Sequence, residues 1–281
     1  MRAPRLLAVL AHPDDESLGV GGTLAKYASE GVEVNLLTAT RGDKGRYRGI
    51  RPGDNGHPGA AELGRIRETE LRAAAAMLGV QEVSLLDYGD QELDQANPRQ
   101  AIGVIAKHIR RIRPDVIVTF SPDGAYGHPD HIAISQFTTA AIVTAAEATF
   151  AGEGAERQQP HTVSKLYYIA WPESAWKAYQ GIFGDLGALV DGVKRRATAL
   201  PDWVITTELD AKSEWSRVWK AIGCHESQIN GNERMMRLSP AEHELLWGRQ
   251  FFYRAFSTVN GGRKKESDLF EGIEGLRRSR S

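Results

Sequence analysis

Cysteine is almost absent from this chain: one residue, Cys224, in 281. A framework of intrachain disulfides is therefore excluded, and the composition fits a reducing cytosol. An excess of charge is missing too. With 35 basic and 36 acidic residues, the formal net charge is −1. No global field draws such a chain to nucleic acid or to an anionic membrane, so a small or neutral substrate is expected rather than a polyanion. Long apolar runs are lacking as well. The run that follows Met1-Arg2-Ala3-Pro4-Arg5 is closed by His12 after six residues. That is too short for a signal peptide, and no stretch approaches the roughly 20 residues of a membrane span. Internal repeats are not seen. What remains, 41% hydrophobic and 25% charged residues, is ordinary for a globular protein, and the length allows one large domain or a core with additions.

The first half alternates in character. Residues 5–11, apolar from Leu6 on, read as a strand buried on both faces. Residues 17–29 read as a helix, 32–39 as a strand and 60–78 as an alanine-rich helix ended by Gly79. A short strand at 82–86, a helix at 98–112 opened by Pro98, a strand at 115–120 and a helix at 129–147 follow. This order predicts an α/β fold, Rossmann-like and doubly wound, with a mainly parallel sheet and helices on both faces. Residues 1–150 are expected to form that core. Residues 151–261 read as a smaller, irregular C-terminal part, with a polar surface loop at 151–162, strands at 165–171 and 203–209, and a helix at 210–222. Residues 262–281 mix both charges with few apolar side chains and read as a flexible tail.

The chemistry gathers at two strand ends. The first strand runs into His12-Pro13-Asp14-Asp15-Glu16, and the fourth is followed by Tyr126-Gly127-His128-Pro129-Asp130-His131. In the commonest doubly wound order these strands are neighbours across the switch point, where ligands bind. Two His- and Asp-rich clusters more than a hundred residues apart are thus predicted to share one crevice. A catalytic zinc site takes three ligands of mixed imidazole and carboxylate type and keeps a position for water. His12, Asp15 and His131 offer that set. Asp14 is beside a ligand and free to take a proton, and His128 faces the same cavity as His131. Asp130 is placed to orient one imidazole. Either Asp14 or Asp15 would serve equally as a plain helix cap, but a cap does not require histidine.

The sequences AHPDDE and GHPDH, with TATRGDKG, RETELRAAAAMLGV and LLDYGDQEL between them, resemble the PIG-L/LmbE-like family of zinc-dependent de-N-acetylases. The likeness covers about residues 5–145 and returns weakly at 203–229. It implies removal of the N-acetyl group from an N-acetylglucosamine-containing small molecule. By position, His12, Asp15 and His131 match the metal ligands and Asp14 the general base. His128 matches the histidine that stabilises the oxyanion or protonates the amine, with Asp130 as its partner. Tyr126 matches a mobile tyrosine that polarises the carbonyl in the mycothiol-pathway members. Arg67 matches an arginine placed on sugar hydroxyls. Fe2+ suits the same ligands as Zn2+.

Other expectations are local. Asp90 is read as a hydroxyl acceptor or a turn residue, and Arg41 borders the site. The loop 44–59, rich in Gly and Arg, is expected to overhang the crevice, either as a lid or as a solvated mobile loop. Cys224, His225 and His243 read as packing or surface residues. The six tryptophans, all beyond residue 170, are expected to pack the C-terminal part, with one or two walling the cleft. Gly19, Gly21 and Gly22 invite a dinucleotide fingerprint, but they fall inside the helix instead of the turn after strand one. A related amidase that cleaves a larger amide on a glucosamine-type conjugate would use the same residues.

Overall fold

The computed structural model describes residues 2–276 except 151–157, 185, 186, 191, 198, 231, 232 and 263. In chain order its elements are β1 (Arg5–Leu10), α1 (Asp15–Ser29), β2 (Glu33–Thr40), α2 (Ala60–Leu78), β3 (Glu82–Tyr88), α3 (Pro98–Ile112), β4 (Val116–Thr119), the single turn α4 (Gly124–Gly127) and α5 (Pro129–Ala146). The second half adds β5 (Lys165–Ile169), α6 (Glu173–Phe183), the hairpin β6 (Gly187–Val190) and β7 (Val193–Arg196), β8 (Thr207–Asp210), α7 (Trp215–Gly223), α8 (Glu226–Ile229), α9 (Glu233–Met236), α10 (Pro240–Trp247) and β9 (Arg249–Ser257).

One seven-stranded sheet runs β3-β2-β1-β4-β5-β9-β8. It is parallel from β3 to β5, and β9 and β8 then join antiparallel. β1 lies at the centre, with Leu6 opposite Val34 on one side and Val116 on the other. Its Leu6–Leu10 are wholly buried, which is why the sequence there has no polar alternation. α1, α2 and α7 pack together, and α3 packs with α5. The Rossmann-like, doubly wound reading therefore holds, and β1 and β4 are neighbours as the switch-point argument requires.

The C-terminal half is less separate than the division at residue 150 suggests, because β5, β9 and β8 extend the same sheet. The strand expected at 203–209 is displaced: Asp202–Val204 form a 3-10 turn and pairing begins at Thr207. Part of the expected surface loop at 151–162 lies outside the described residues, but His161 is buried and bonds the Pro114 carbonyl at 2.7 Å. The expectation of a flexible tail is corrected. Leu269 and Phe270 are buried, the Leu269 N–H donates to the Tyr27 hydroxyl at 2.7 Å, and Leu276 bridges to Arg2. A few apolar residues suffice to hold the segment when each meets the core; residues 277–281 lie outside the described part. No helix among the described residues is long and apolar enough to cross a membrane.

Candidate metal centre and active site

The turn after β1 delivers His12, the first position of α1 delivers Asp15, and the start of α5 delivers His131. One donor atom from each of the three lies within 4.8 Å of the others. His12 Nδ1 is 3.2 Å from His131 Nε2. Asp15 Oδ2 is 3.7 Å from His12 Nδ1, and its Oδ1 is 3.5 Å from His131 Nε2. Ligands at zinc-type bond lengths in a tetrahedron stand about 3.3 Å apart, so the donor set fits a small divalent cation.

The surroundings favour the same conclusion. His12 Nε2 is 3.1 Å from Asp130 and 3.2 Å from Asp90, carboxylates that only accept. Nε2 therefore carries a proton, and the Nδ1 lone pair is what a cation would meet on displacing the second proton. Burial works against charge on His12, yet Asp130 and Asp90 outweigh it and push the imidazole up to about 10. Burial raises Asp15 to about 7 against the pull of His12, with Asp14 adding to the rise. A nest of buried carboxylates around two imidazoles is an environment for a cation. Phe120 stacks on His131 with ring centroids 3.9 Å apart and fixes its plane.

Asp14 does not act as a helix cap. It stands at φ 107° before α1 and makes no side-chain capping bond, while Asp15 Oδ2 accepts the His12 N–H at 2.8 Å. Buried Arg67 donates to Asp14 Oδ2 at 3.0 Å, to the Gly42 carbonyl at 2.8 Å and to the Pro13 carbonyl. Burial raises the Asp14 carboxyl above its ordinary value, and Arg67 opposes the rise.

Asp130 differs from the pairing expected. Its carboxylate accepts the Gln91 and Leu93 N–H groups at 2.7 and 3.1 Å and faces His12, whereas His128 Nδ1 takes only the Asp130 backbone N–H at 3.2 Å. The reason is geometric: His128 is itself the N-cap of α5, so the Asp130 side chain points back into the fold. Burial and then the nearby His12 push His128 down to about 4. With Nδ1 accepting, its Nε2 carries the proton.

Tyr126 sits on α4, a turn in which Gly124, Ala125 and Gly127 all have positive φ. Burial, then Asp15 and Asp14, raise its phenol. Tyr126, Asp14, Asp15 and His131 line one cavity of about 370 Å³. Its further wall includes Leu18, Ile169, Trp171, Tyr179, Met235 and Trp247, so Trp171 and Trp247 are the tryptophans that reach the cleft.

Three residues expected at the substrate have protein partners in the structure. Arg67 gives its terminal nitrogens to Asp14 and two carbonyls, while its buried Nε has no partner. Asp90 faces His12 and accepts the Lys44 N–H at 3.0 Å. Arg41 pairs with Glu68 and Asp87 at 2.9 and 2.7 Å and lines a separate shallow pocket with Asp43 and Tyr88. The loop 44–59 is tied down at α8, where Arg48 N–H reaches the Ser227 carbonyl and Gln228 reaches the Arg46 carbonyl at 2.6 and 2.9 Å. His225 is no surface residue: it bonds Glu16 at 2.7 Å just behind Asp14. Nothing in the spacing of CHESQ marks that histidine, since its partner is 209 positions away.

The family profile described as GlcNAc-PI de-N-acetylase (PIG-L) matches residues 7–142. A 1D-myo-inositol 2-acetamido-2-deoxy-alpha-D-glucopyranoside deacetylase from Thermobispora bispora is 33% identical over 96% of this chain and 98% of its own. The protein of the same description from Kineococcus radiotolerans is 32% identical over 96% of this chain and 83% of its own. Among solved structures, the N,N'-diacetylchitobiose deacetylase of Pyrococcus horikoshii superposes with a TM-score of 0.66 at 21% identity, covering 90% of this chain and 84% of that one. A 4-carboxy-2-hydroxymuconate hydratase from Pseudomonas putida does so at 0.67 and 20%, covering 92% and 99%. One fold thus carries two chemistries, so likeness of fold alone does not decide the reaction.

Proposed function

The chain belongs to the PIG-L family of de-N-acetylases, and from that premise we propose that it hydrolyses the N-acetyl group of an N-acetylglucosamine-containing small molecule. The observation that carries the reading is the convergence of His12, Asp15 and His131 beside an Asp14 carboxylate held by Arg67, with Asp14, Asp15 and His131 lining one cavity. The inositol glycoside for which the relatives are named is the first candidate substrate.

His12, Asp15 and His131 would hold the metal, proposed as Zn2+, with Fe2+ suited to the same donors. When bound, the ion supplies Lewis-acid charge at the amide and makes a water more acidic. Asp14 accepts the proton of the attacking water, and its burial gives it the raised basicity that a base working near neutral pH needs; as the oxyanion collapses the C–N bond breaks, and the amine leaves with a proton from Asp14 or from His128. Arg67 keeps Asp14 from swinging away. Neutral His128 donates its Nε2–H to the developing oxyanion, and the Tyr126 hydroxyl donates to the carbonyl oxygen before attack. Asp130 and Asp90 act through His12 by fixing its tautomer. The largely apolar wall of Leu18, Ile169, Trp171 and Met235 favours a second reading, cleavage of a larger amide at the same centre.

The test is acetate release from a panel of N-acetylglucosamine glycosides, the inositol glycoside included, with as-purified, chelated and zinc-restored protein. Release that follows the metal supports the deacetylase. With metal bound, cleavage of longer acyl amides and no acetate release would transfer the assignment to the amidase.

A further inference from the structure

Directly behind Asp14 lies a buried acid–imidazole pair that the chemistry above does not use. Glu16 and His225 are both almost wholly inaccessible. Glu16 Oε1 is 2.7 Å from His225 Nε2 and accepts the Ser17 hydroxyl at 2.5 Å. The other oxygen, Oε2, accepts the backbone N–H of Asp14 at 3.0 Å. Asp14 is not glycine, yet its φ is 107°. A side chain rarely adopts that conformation, and it persists only where the surroundings hold it from several directions.

Those directions can be named. From one side Arg67 grips the Pro13 carbonyl and the Asp14 carboxylate. From the other, Glu16 grips the Asp14 N–H. Glu16 cannot rotate away while His225 and Ser17 hold its first oxygen. His225 is in turn set by the junction of α7 and α8, where its N–H donates to the Ile222 carbonyl at 3.0 Å and its carbonyl accepts from Gln228 and Ile229. The C-terminal half of the chain thereby reaches the turn after β1.

We propose that Glu16 and His225 are positioning residues: His225 fixes Glu16, and Glu16 fixes Asp14 in the left-handed backbone conformation that presents its carboxylate to the cavity. The inference rests on the deacetylase reading for its kinetic consequence, but not for its structural one.

The pair also sets the design of the test. An ionised Glu16 only accepts, so His225 carries its proton on Nε2, and Nδ1 is buried without a partner. In Glu16→Gln the amide oxygen can keep the Asp14 N–H while the amide nitrogen donates to Nε2 and to the Ser17 oxygen, the ring proton moving to Nδ1 and the Ser17 bond reversing its direction. Position is preserved and charge is lost. Glu16→Ala loses both. The experiment measures kcat, KM, zinc content and the crystal structure for wild type, Glu16→Gln, Glu16→Ala and His225→Ala, with His225→Asn as a donor-keeping substitute if the alanine variants do not fold. Expected are a fall in kcat of about 10- to 100-fold in the alanine variants, unchanged KM and zinc content, an Asp14 that has left positive φ, and near-complete rescue in Glu16→Gln. His225→Asn is expected to keep Asp14 at positive φ and most of kcat. Any one of four results overturns the proposal: wild-type kcat in Glu16→Ala, Glu16→Gln as defective as Glu16→Ala, loss of zinc from the alanine variants, or, where those do not fold, His225→Asn with Asp14 turned out of positive φ. If wild type cleaves no glycoside, the deacetylase reading fails, and the Asp14 backbone in the variant structures still decides whether Glu16 positions it.

Discussion

Asp14 and Asp15 are adjacent identical residues with different surroundings. Asp15 is folded back on the His12 and Ala11 N–H groups and faces two imidazole nitrogens. Asp14 is turned the other way by its positive φ and meets a guanidinium. The proposed division into ligand and base follows from that difference. Asp14→Asn is therefore expected to lower kcat by about 10²- to 10⁴-fold with metal content unchanged, whereas His131→Ala is expected to lose the metal. Metal analysis beside the rate constant checks both, and an Asp14→Asn protein that lost the metal would reverse the assignment. The cluster of His12, Asp15 and His131 was legible in the sequence because strand ends place whole segments at one edge. The directions of Asp130, Arg67 and Arg41 were not. Spacing says which edge a residue occupies, but the Asp130 side chain turns to His12 only because Gln91 and Leu93, on another loop, offer it their N–H groups.

At the scale of elements, α1 shows what its glycines are for. A Cβ on Gly21 would stand 2.9 Å from Val218, and one on Gly22 would stand 2.8 Å from the Trp247 carbonyl. These residues let α7 and α10 close against α1; no phosphate cradle is involved. Gly22→Ala is expected to cost about 1–3 kcal/mol by overpacking, seen as a lower denaturation midpoint. Since backbone rather than a flexible side chain is in the way, an unchanged midpoint would mean that α10 is free to retreat. Helices of the first half were readable along the chain from their ends: α2 stops at Gly79, α3 opens at Asn97-Pro98 and α5 at His128-Pro129. β9 was not. Its RQFFYRAFS alternates faces, but its place between β5 and β8 is set by pairing with segments 39 or more residues away.

The whole molecule is closed by its C-terminal segment, and that closure makes a prediction about acid. Glu266, buried, accepts from Lys165 at 2.8 Å, Tyr167 at 2.6 Å, Thr207 at 3.1 Å and Asn260 at 2.6 Å, and pairs with Arg254 at 2.7 Å. Burial opposes its charge, but these donors, Lys165 first, hold the carboxyl below its ordinary 4.5. For the Lys165 partner burial prevails over the pairing and its ammonium is lowered, whereas five groups converge on the Glu266 carboxylate. A depressed carboxyl stabilises the fold in full above its unfolded value and ceases to do so as pH falls through the folded one. Glu266→Gln leaves Lys165 and Arg254 as buried cations without their anion, a loss of about 3–5 kcal/mol. The midpoint difference between wild type and Glu266→Gln should thus be largest near neutrality and shrink as pH drops below 4.5. Thermal melts from about pH 7 to about pH 3 follow it directly. A difference that stayed constant over that range would mean that hydrogen-bond geometry, and not the charge of Glu266, anchors the segment to β5 and β8.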